Sequence, residues 1–296
     1  MIKRTLFFSN PCRLSVRNKQ MVIELRKTKE VKLAPIEDLG YVVLENQQIS
    51  ISLPLMDELI NNNVAVVFCN SKYYPDSMLL NLNGHHLQQE MFSHQISANV
   101  PLKKRLWKQT VEAKIKNQAF LLKKLKKDYK AVAYCATNVK SGDPENREGT
   151  AARIYWPLLF GKHFYRDRYG LPPNNMLNYG YAILRAAVAR ALSGSGLLPT
   201  FGIHHHNRYN AFCLADDIME PYRPFVDGLV NRIYKECGDV YDLNIEVKMK
   251  LLQILSIDVW FKDMRRPLMI GLSNTTASLS RCFLGEEKRI NYPVIV

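Results

Sequence analysis

LKKRLWKQTVEAKIKNQAFLLKKLKK, running from Leu102 to Lys127, decides how this chain divides. Pro101 opens it and neither Gly nor Pro interrupts it, so it reads as one long helix. Nothing upstream resembles it. The first ~80 residues are short segments rich in β-branched and aromatic residues, about 8–12 residues apart, with turn residues between them. They are Thr5–Phe8, Arg13–Val16, Met21–Leu25, Val31–Leu33, Tyr41–Leu44, Ile49–Ser52 and Val64–Phe68, with one short helix at Leu55–Asn62. That pattern predicts an antiparallel β domain.

Downstream the helical period continues. Residues from Leu87 onward and stretches at 146–160, 173–193, 214–236, 244–262 and 267–282 carry apolar residues at i, i+3 and i+4. Pro172, Pro173, Pro199 and Pro267 stand where helices should start or stop. The expected class is therefore α+β, with an N-terminal β domain over residues 1–80 and a larger all-α domain over 81–296. The join is placed near residues 75–86.

Composition narrows the function. The 296 residues include 41 Lys or Arg against 27 Asp or Glu, a formal net charge of +14. A hydrophobic content of 47% is ample for a packed core, so global disorder is excluded. No run reaches the ~18 apolar residues of a membrane-spanning helix. The apolar run after Lys3 and Arg4 is too short for a secretory signal, so a soluble cytoplasmic protein without membrane contact is expected. The six cysteines form no CxxC pair, which removes zinc-ribbon and redox-motif readings.

The positive excess points to a polyanion, most often nucleic acid. It is concentrated. Lys103, Lys104, Arg105, Lys108, Lys114, Lys116, Lys123, Lys124, Lys126, Lys127 and Lys130 face only Glu112 and Asp128 in the same segment. Solvated helix faces normally mix signs, so the segment is read as a phosphate-backbone surface, with Lys123, Lys124, Lys126 and Lys127 as candidate DNA contacts.

Chemistry concentrates in GLLPTFGIHHHNRYNAFCLADDIMEPYRP, Gly196 to Pro224. A turn-rich loop presents His204, His205 and His206 and then enters a helix. Asp217 and Glu220 lie three apart on it and so share a face. Side by side they repel, and a bound divalent cation would reverse the sign. Either feature alone reads as a solvated patch or a packed imidazole. Together, in so basic a chain, they suggest a metal, and imidazole with carboxylates suits Mg²⁺ or Mn²⁺. A further element, Asn146-Arg147-Glu148-Gly149-Thr150-Ala151-Ala152-Arg153-Ile154-Tyr155-Trp156, places one carboxylate at a helix start beside small residues.

The run R-E-G-x-A-A-R-I-Y-W, then N-Y-G-Y-A-I-L-R-A-A-V-A-R-A-L, then G-x-H-H-H-x-R-x-N-x-F-x-L-A-D-D-I-M-E-P-Y-R-P resembles the CRISPR-associated adaptation endonuclease/integrase family, the large subunit of spacer acquisition. The likeness covers essentially the whole chain, and the His-rich loop is similar to the type II branch. It implies Glu148, His205 and Glu220 as metal ligands. His205 is chosen because the family's histidine precedes the two helix carboxylates by twelve and fifteen residues. Asp217 takes a supporting catalytic role, although the adjacent Asp216 competes for it.

The resemblance further implies insertion of short foreign DNA fragments into a CRISPR array by 3′-OH transesterification at repeat ends, with Mg²⁺ or Mn²⁺. The implied partners are double-stranded DNA, a second copy in a homodimer formed through the β domain, and a small ferredoxin-like subunit completing a heterohexamer. Arg223 is expected to orient Glu220 or to grip phosphate. The rival reading is a non-catalytic DNA-binding structural subunit. A hydrolase of small phosphorylated substrates is disfavoured, since no GxxxxGK[ST] loop is present.

Overall fold

The computed structural model describes residues 3–81, 84–262 and 264–296. They form two compact units, one ending at residue 83 and the other beginning at Gly84.

The N-terminal unit contains β1 (Arg4–Phe8), β2 (Cys12–Arg17), β3 (Gln20–Leu25), β4 (Val31–Pro35), β5 (Leu39–Leu44), β6 (Ser50–Ile51), α1 (Leu53–Asn61), β7 (Ala65–Cys69) and β8 (Pro75–Leu79). Among the described residues they build two four-stranded sheets, ordered β1-β5-β7-β8 and β4-β3-β2-β6. The β2–β3 hairpin turns at Asn18 and Lys19, both at positive φ, the backbone a two-residue hairpin turn requires. Leu14, Met21, Leu39, Val42, Leu55, Leu59 and Val66 are fully buried in one core.

The α+β class and the β-then-α order hold, but antiparallel pairing throughout does not. β1 runs parallel to β5, β5 parallel to β7, and β2 parallel to β6. A parallel neighbour needs a crossover, and for the β5–β7 pair that crossover carries α1. Sequence spacing sees the strands and the helix but not the direction of pairing. β8, opening on Pro75 and pairing antiparallel with β7, falls inside the stretch expected to be a linker.

The larger unit holds α2 (Gln88–Ser97), α3 (Val100–Lys124), α4 (Lys130–Thr137), α5 (Arg147–Phe160), α6 (Asn174–Gly194), α7 (Cys213–Met219), α8 (Arg223–Cys237), α9 (Ile245–Leu252), a hairpin of β9 (Asp258–Phe261) and β10 (Met264–Pro267), and α10 (Leu268–Leu284). α6 is the central helix, packed against α7, α8, α9 and α10.

Three expectations are corrected. The helix expected over 244–262 ends at Leu252, because Asp258-Val259-Trp260-Phe261 alternates outward and inward as a strand, with Val259 and Phe261 buried. The unit is therefore not all-α. The helix expected over 214–236 is interrupted by a 3-10 turn at Glu220–Tyr222, where Pro221 has no N–H to donate. The helix expected to reach Lys127 stops at Lys124, and Lys126 takes a left-handed conformation.

Candidate active site

Three elements of the larger unit bring the candidate residues together. The first is the start of α5. Asn146 adopts a left-handed conformation and its side chain accepts the Gly149 N–H at 3.0 Å. Asp143 accepts the N–H groups of Arg147 at 2.8 Å and Glu148 at 3.0 Å. Glu148 thereby stands in the first turn of a twice-capped helix. Gly149 is small for its own cap rather than for a ligand, since a Cβ there would lie 2.6 Å from Asn146 Oδ1.

The second element is the 3-10 turn carrying Glu220. Buried Asn117 of α3 fastens it by donating to the Pro221 carbonyl at 2.8 Å. Arg223, one residue beyond the turn, has its Nε 3.0 Å from Glu220 Oε1 and its guanidinium 4.7 Å above the Tyr181 ring. Tyr181 in turn bonds the buried carboxylate of Asp227, which also accepts from Tyr155 at 2.8 Å. Burial pushes the Asp227 carboxyl up to about 6, against the pull of those two hydroxyls. Arg223 is thus placed as an ion-pair partner of Glu220.

The third element is the histidine loop. Asp217, with no exposed surface, accepts the N–H groups of Ile203 at 2.7 Å and His204 at 2.9 Å, and Nδ1 of His205 at 2.5 Å. That bond raises the His205 imidazole above its ordinary value, and burial only partly opposes it. A histidine whose Nδ1 donates to a carboxylate keeps Nε2 for another partner, the usual arrangement at metal sites. His204 stacks on Trp107 with ring centroids 4.0 Å apart and planes 1° from parallel. His206 is exposed. Asp216 is taken by other partners, Arg185 Nε at 2.7 Å and Asn210 Nδ2 at 2.7 Å.

One residue at the centre belongs, by sequence alone, to the basic surface. Lys114 of α3 lies between the two carboxylates, its Nζ 2.6 Å from Glu148 Oε1 and 2.5 Å from Glu220 Oε2. Burial pushes the ammonium down, but Glu220 and Glu148 outweigh it and hold Lys114 above a lysine's ordinary value. Burial likewise pushes Glu220 up, and Arg223 with Lys114 holds it below the usual carboxylate range. A signal was available. Trp107, Thr110, Val111, Asn117, Gln118 and Leu121 mark the buried stripe of α3, and Lys114 falls on that stripe.

Glu148 and Glu220 thus converge on one cationic point. Among the described residues, no three His, Cys, Asp or Glu side chains stand together as a complete metal cage. The donor chemistry nevertheless fits a hard divalent cation. Two carboxylates meet at one place, and Glu220 Oε2 is buried without an aligned hydrogen-bond donor despite its ion pair. His205 is held beside them, close enough for its charge to lower Glu220 further. Glu148 and His205 remain 24% and 44% exposed, so a polymer could reach the site.

The basic segment is less uniform than its sequence. Lys127 donates to the carbonyls of Leu158 and Leu159 at 2.5 and 3.0 Å, capping the end of α5, so its ammonium is engaged by the fold. Lys124 reaches the Val296 carbonyl at 2.8 Å, and Lys123 lies 5.7 Å from the Tyr129 ring centroid. Lys123, Lys124 and Lys126 are exposed.

The profile of the family "CRISPR associated protein Cas1" matches residues 6–237. A CRISPR-associated endonuclease Cas1 from Neisseria meningitidis serogroup C (strain 8013) is 35% identical over 261 residues, covering 88% of this chain and 85% of that one. A casposase bound to integration product shares the fold with a TM-score of 0.79 at 19% identity, over 98% of this chain and 93% of that one. A Cas6-RT-Cas1–Cas2 complex shares it with a TM-score of 0.72 at 19% identity, over 97% of this chain and 35% of that one.

Proposed function

This chain belongs to the CRISPR-associated Cas1 family, and from that premise we propose that it is a divalent-metal-dependent DNA endonuclease and integrase that inserts short DNA fragments at the repeat ends of a CRISPR array. The observation that carries this is the convergence of Glu148 and Glu220 on one cation position beside an Asp217-held His205. A module that only bound DNA would gain nothing from gathering carboxylates in a chain of net charge +14. The likeness to the Neisseria relative and the triple histidine favour the type II branch.

Glu148, Glu220 and His205 would hold Mg²⁺ or Mn²⁺, which supplies Lewis-acid neutralisation of charge building on a phosphodiester. The chain's own residues do the rest. Asp217 fixes the His205 ring and its tautomer, and Arg223 aims the Glu220 carboxylate. Exposed Lys123, Lys124 and Lys126 would hold the DNA backbone, and phosphate contacts of that kind position without reading sequence. The 3′-OH of a captured duplex attacks a phosphodiester at the repeat boundary. A new 3′-oxygen–phosphorus bond forms, the old one breaks, and the departing 3′-oxygen takes up a proton. Water in place of the 3′-OH gives the nuclease reaction.

The partners that follow are double-stranded DNA, a second copy of the chain, and the small ferredoxin-like adaptation subunit, together in a heterohexamer. Fold likeness to the Cas1-containing complex supports the last of these. No described helix is long and apolar enough to cross a membrane.

The test is joining of a labelled duplex to a repeat-bearing target. A fragment ending in 3′-OH should be joined, and the same fragment ending in a 3′-deoxy nucleotide should not. Equal joining of both would exclude transesterification by the fragment's own end.

A further inference from the structure

Lys114 occupies the position the proposed function assigns to the divalent ion. It arises from α3, whereas Glu148 opens α5 and Glu220 sits in the turn before α8. These segments are distant in sequence, and what joins the two carboxylates is a single ammonium group at 2.6 and 2.5 Å. Its side chain is 13% exposed, so little water shares the task. Two carboxylates gathered without a cation would repel, and one would have to take up a proton to relieve it.

We propose that Lys114 is the resident cation of this site, holding Glu148 and Glu220 together in the metal-free chain and yielding its place when a divalent ion enters. The inference rests on the reading of Glu148, His205 and Glu220 as the metal's ligands and adds the group that the metal displaces. Lysine suits the task in a way arginine would not. Its charge is a compact point on a flexible four-carbon stem, so it can bridge two oxygens and also withdraw, whereas a guanidinium fork binds one carboxylate bidentately and stays.

Two consequences separate this from a static structural ion pair. The metal-free chain without Lys114 should be less stable, because Glu148 loses the ammonium that pairs it and buried Glu220 is left with Arg223 alone. The divalent ion should bind more tightly, because no resident cation has to leave first. Apparent affinity is reduced by the fraction of molecules whose site is not open.

The experiment uses the full chain and two variants, Lys114→Gln and Lys114→Arg, with Glu148→Gln as the ligand control. Thermal melting is followed with chelator and with Mn²⁺, and Mn²⁺ affinity is measured by titrating the free-ion electron paramagnetic resonance signal. Lys114→Gln should melt several degrees lower in chelator, show a larger Mn²⁺-induced rise than wild type, and bind Mn²⁺ at least about tenfold more tightly. Lys114→Arg should melt near wild type in chelator and gain no affinity. Should Lys114→Gln fold only with Mn²⁺ present, that supports exchange in its strongest form.

Unchanged melting and unchanged Mn²⁺ affinity in Lys114→Gln, with binding still lost in Glu148→Gln, would overturn the exchange and leave the metal reading standing. Wild-type Mn²⁺ affinity that ignores Glu148→Gln would overturn both.

Discussion

Glu148→Ala, His205→Ala and Glu220→Ala are each expected to lower strand joining by about three powers of ten or more while DNA affinity stays near wild type. A metal acting on a phosphodiester supplies several kcal/mol of transition-state stabilisation. Each 1.36 kcal/mol is about tenfold in rate, which sets that magnitude. Affinity should survive because Lys and Arg contacts to phosphate supply most of it, and none of the three residues is Lys or Arg. Glu220 needs a control of its own. Its removal leaves Lys114 and Arg223 short of a buried partner, and breaking such a pair costs about 3–5 kcal/mol of stability. Glu220→Gln keeps the shape and a hydrogen-bond acceptor, so it should fold and still fail to join. His204→Ala, which removes a ring stacked on Trp107, should cost stability more than chemistry. Joining at wild-type rate in any of the three alanine variants would remove that residue from the site.

Gly202→Ala should also lower strand joining, by about a hundredfold, although Gly202 carries no chemistry. A Cβ there would lie 2.5 Å from the His205 carbonyl oxygen and 2.7 Å from Asp217 Oδ2. Neither atom can yield. The first is backbone, and the second already holds the N–H groups of Ile203 and His204. The loop must open, and with it goes the register that puts Nδ1 of His205 on Asp217. Overpacking of this kind costs about 1–3 kcal/mol of stability. A misplacement near 1 Å at reacting groups costs about a hundredfold in rate. Strand joining should drop by about that factor with the chain still folded by circular dichroism and still bound to DNA. Full activity would show that the loop's closure does not position His205.

The sequence carried the site's parts better than its arrangement. Asp217 and Glu220 fall on one face at a spacing of three, and the structure puts Asp217 rather than Asp216 against His205. The interruption at Glu220-Pro221-Tyr222 is marked by Pro221, but apolar periodicity continues across it and reads as one longer helix. Lys114 was missed because it sits in a run of eleven basic residues, where each member invites the same reading. Only its place on the buried stripe of α3 distinguishes it. The strands of the first unit were legible segment by segment. Their parallel pairing was not, because pairing direction depends on which segments intervene between paired strands and leaves no mark within a strand. The β9–β10 hairpin was hidden by Ile254 and Leu255, which continue the helical stripe of α9 to the edge of the strand.

The central claim is that a divalent cation gathered by Glu148, His205 and Glu220 drives the joining of DNA strands. The most direct measurement is the yield of joined product from a 3′-OH duplex and a repeat-bearing target, in chelator and after adding back single ions, in wild type and in Glu148→Ala. Wild type should give no product in chelator and recover with Mn²⁺ or Mg²⁺. Ca²⁺, which prefers more ligands at longer distances, should restore little. Glu148→Ala should stay inactive with every ion. Product formed in chelator at the wild-type yield, or formed by Glu148→Ala once Mn²⁺ is present, would contradict the account.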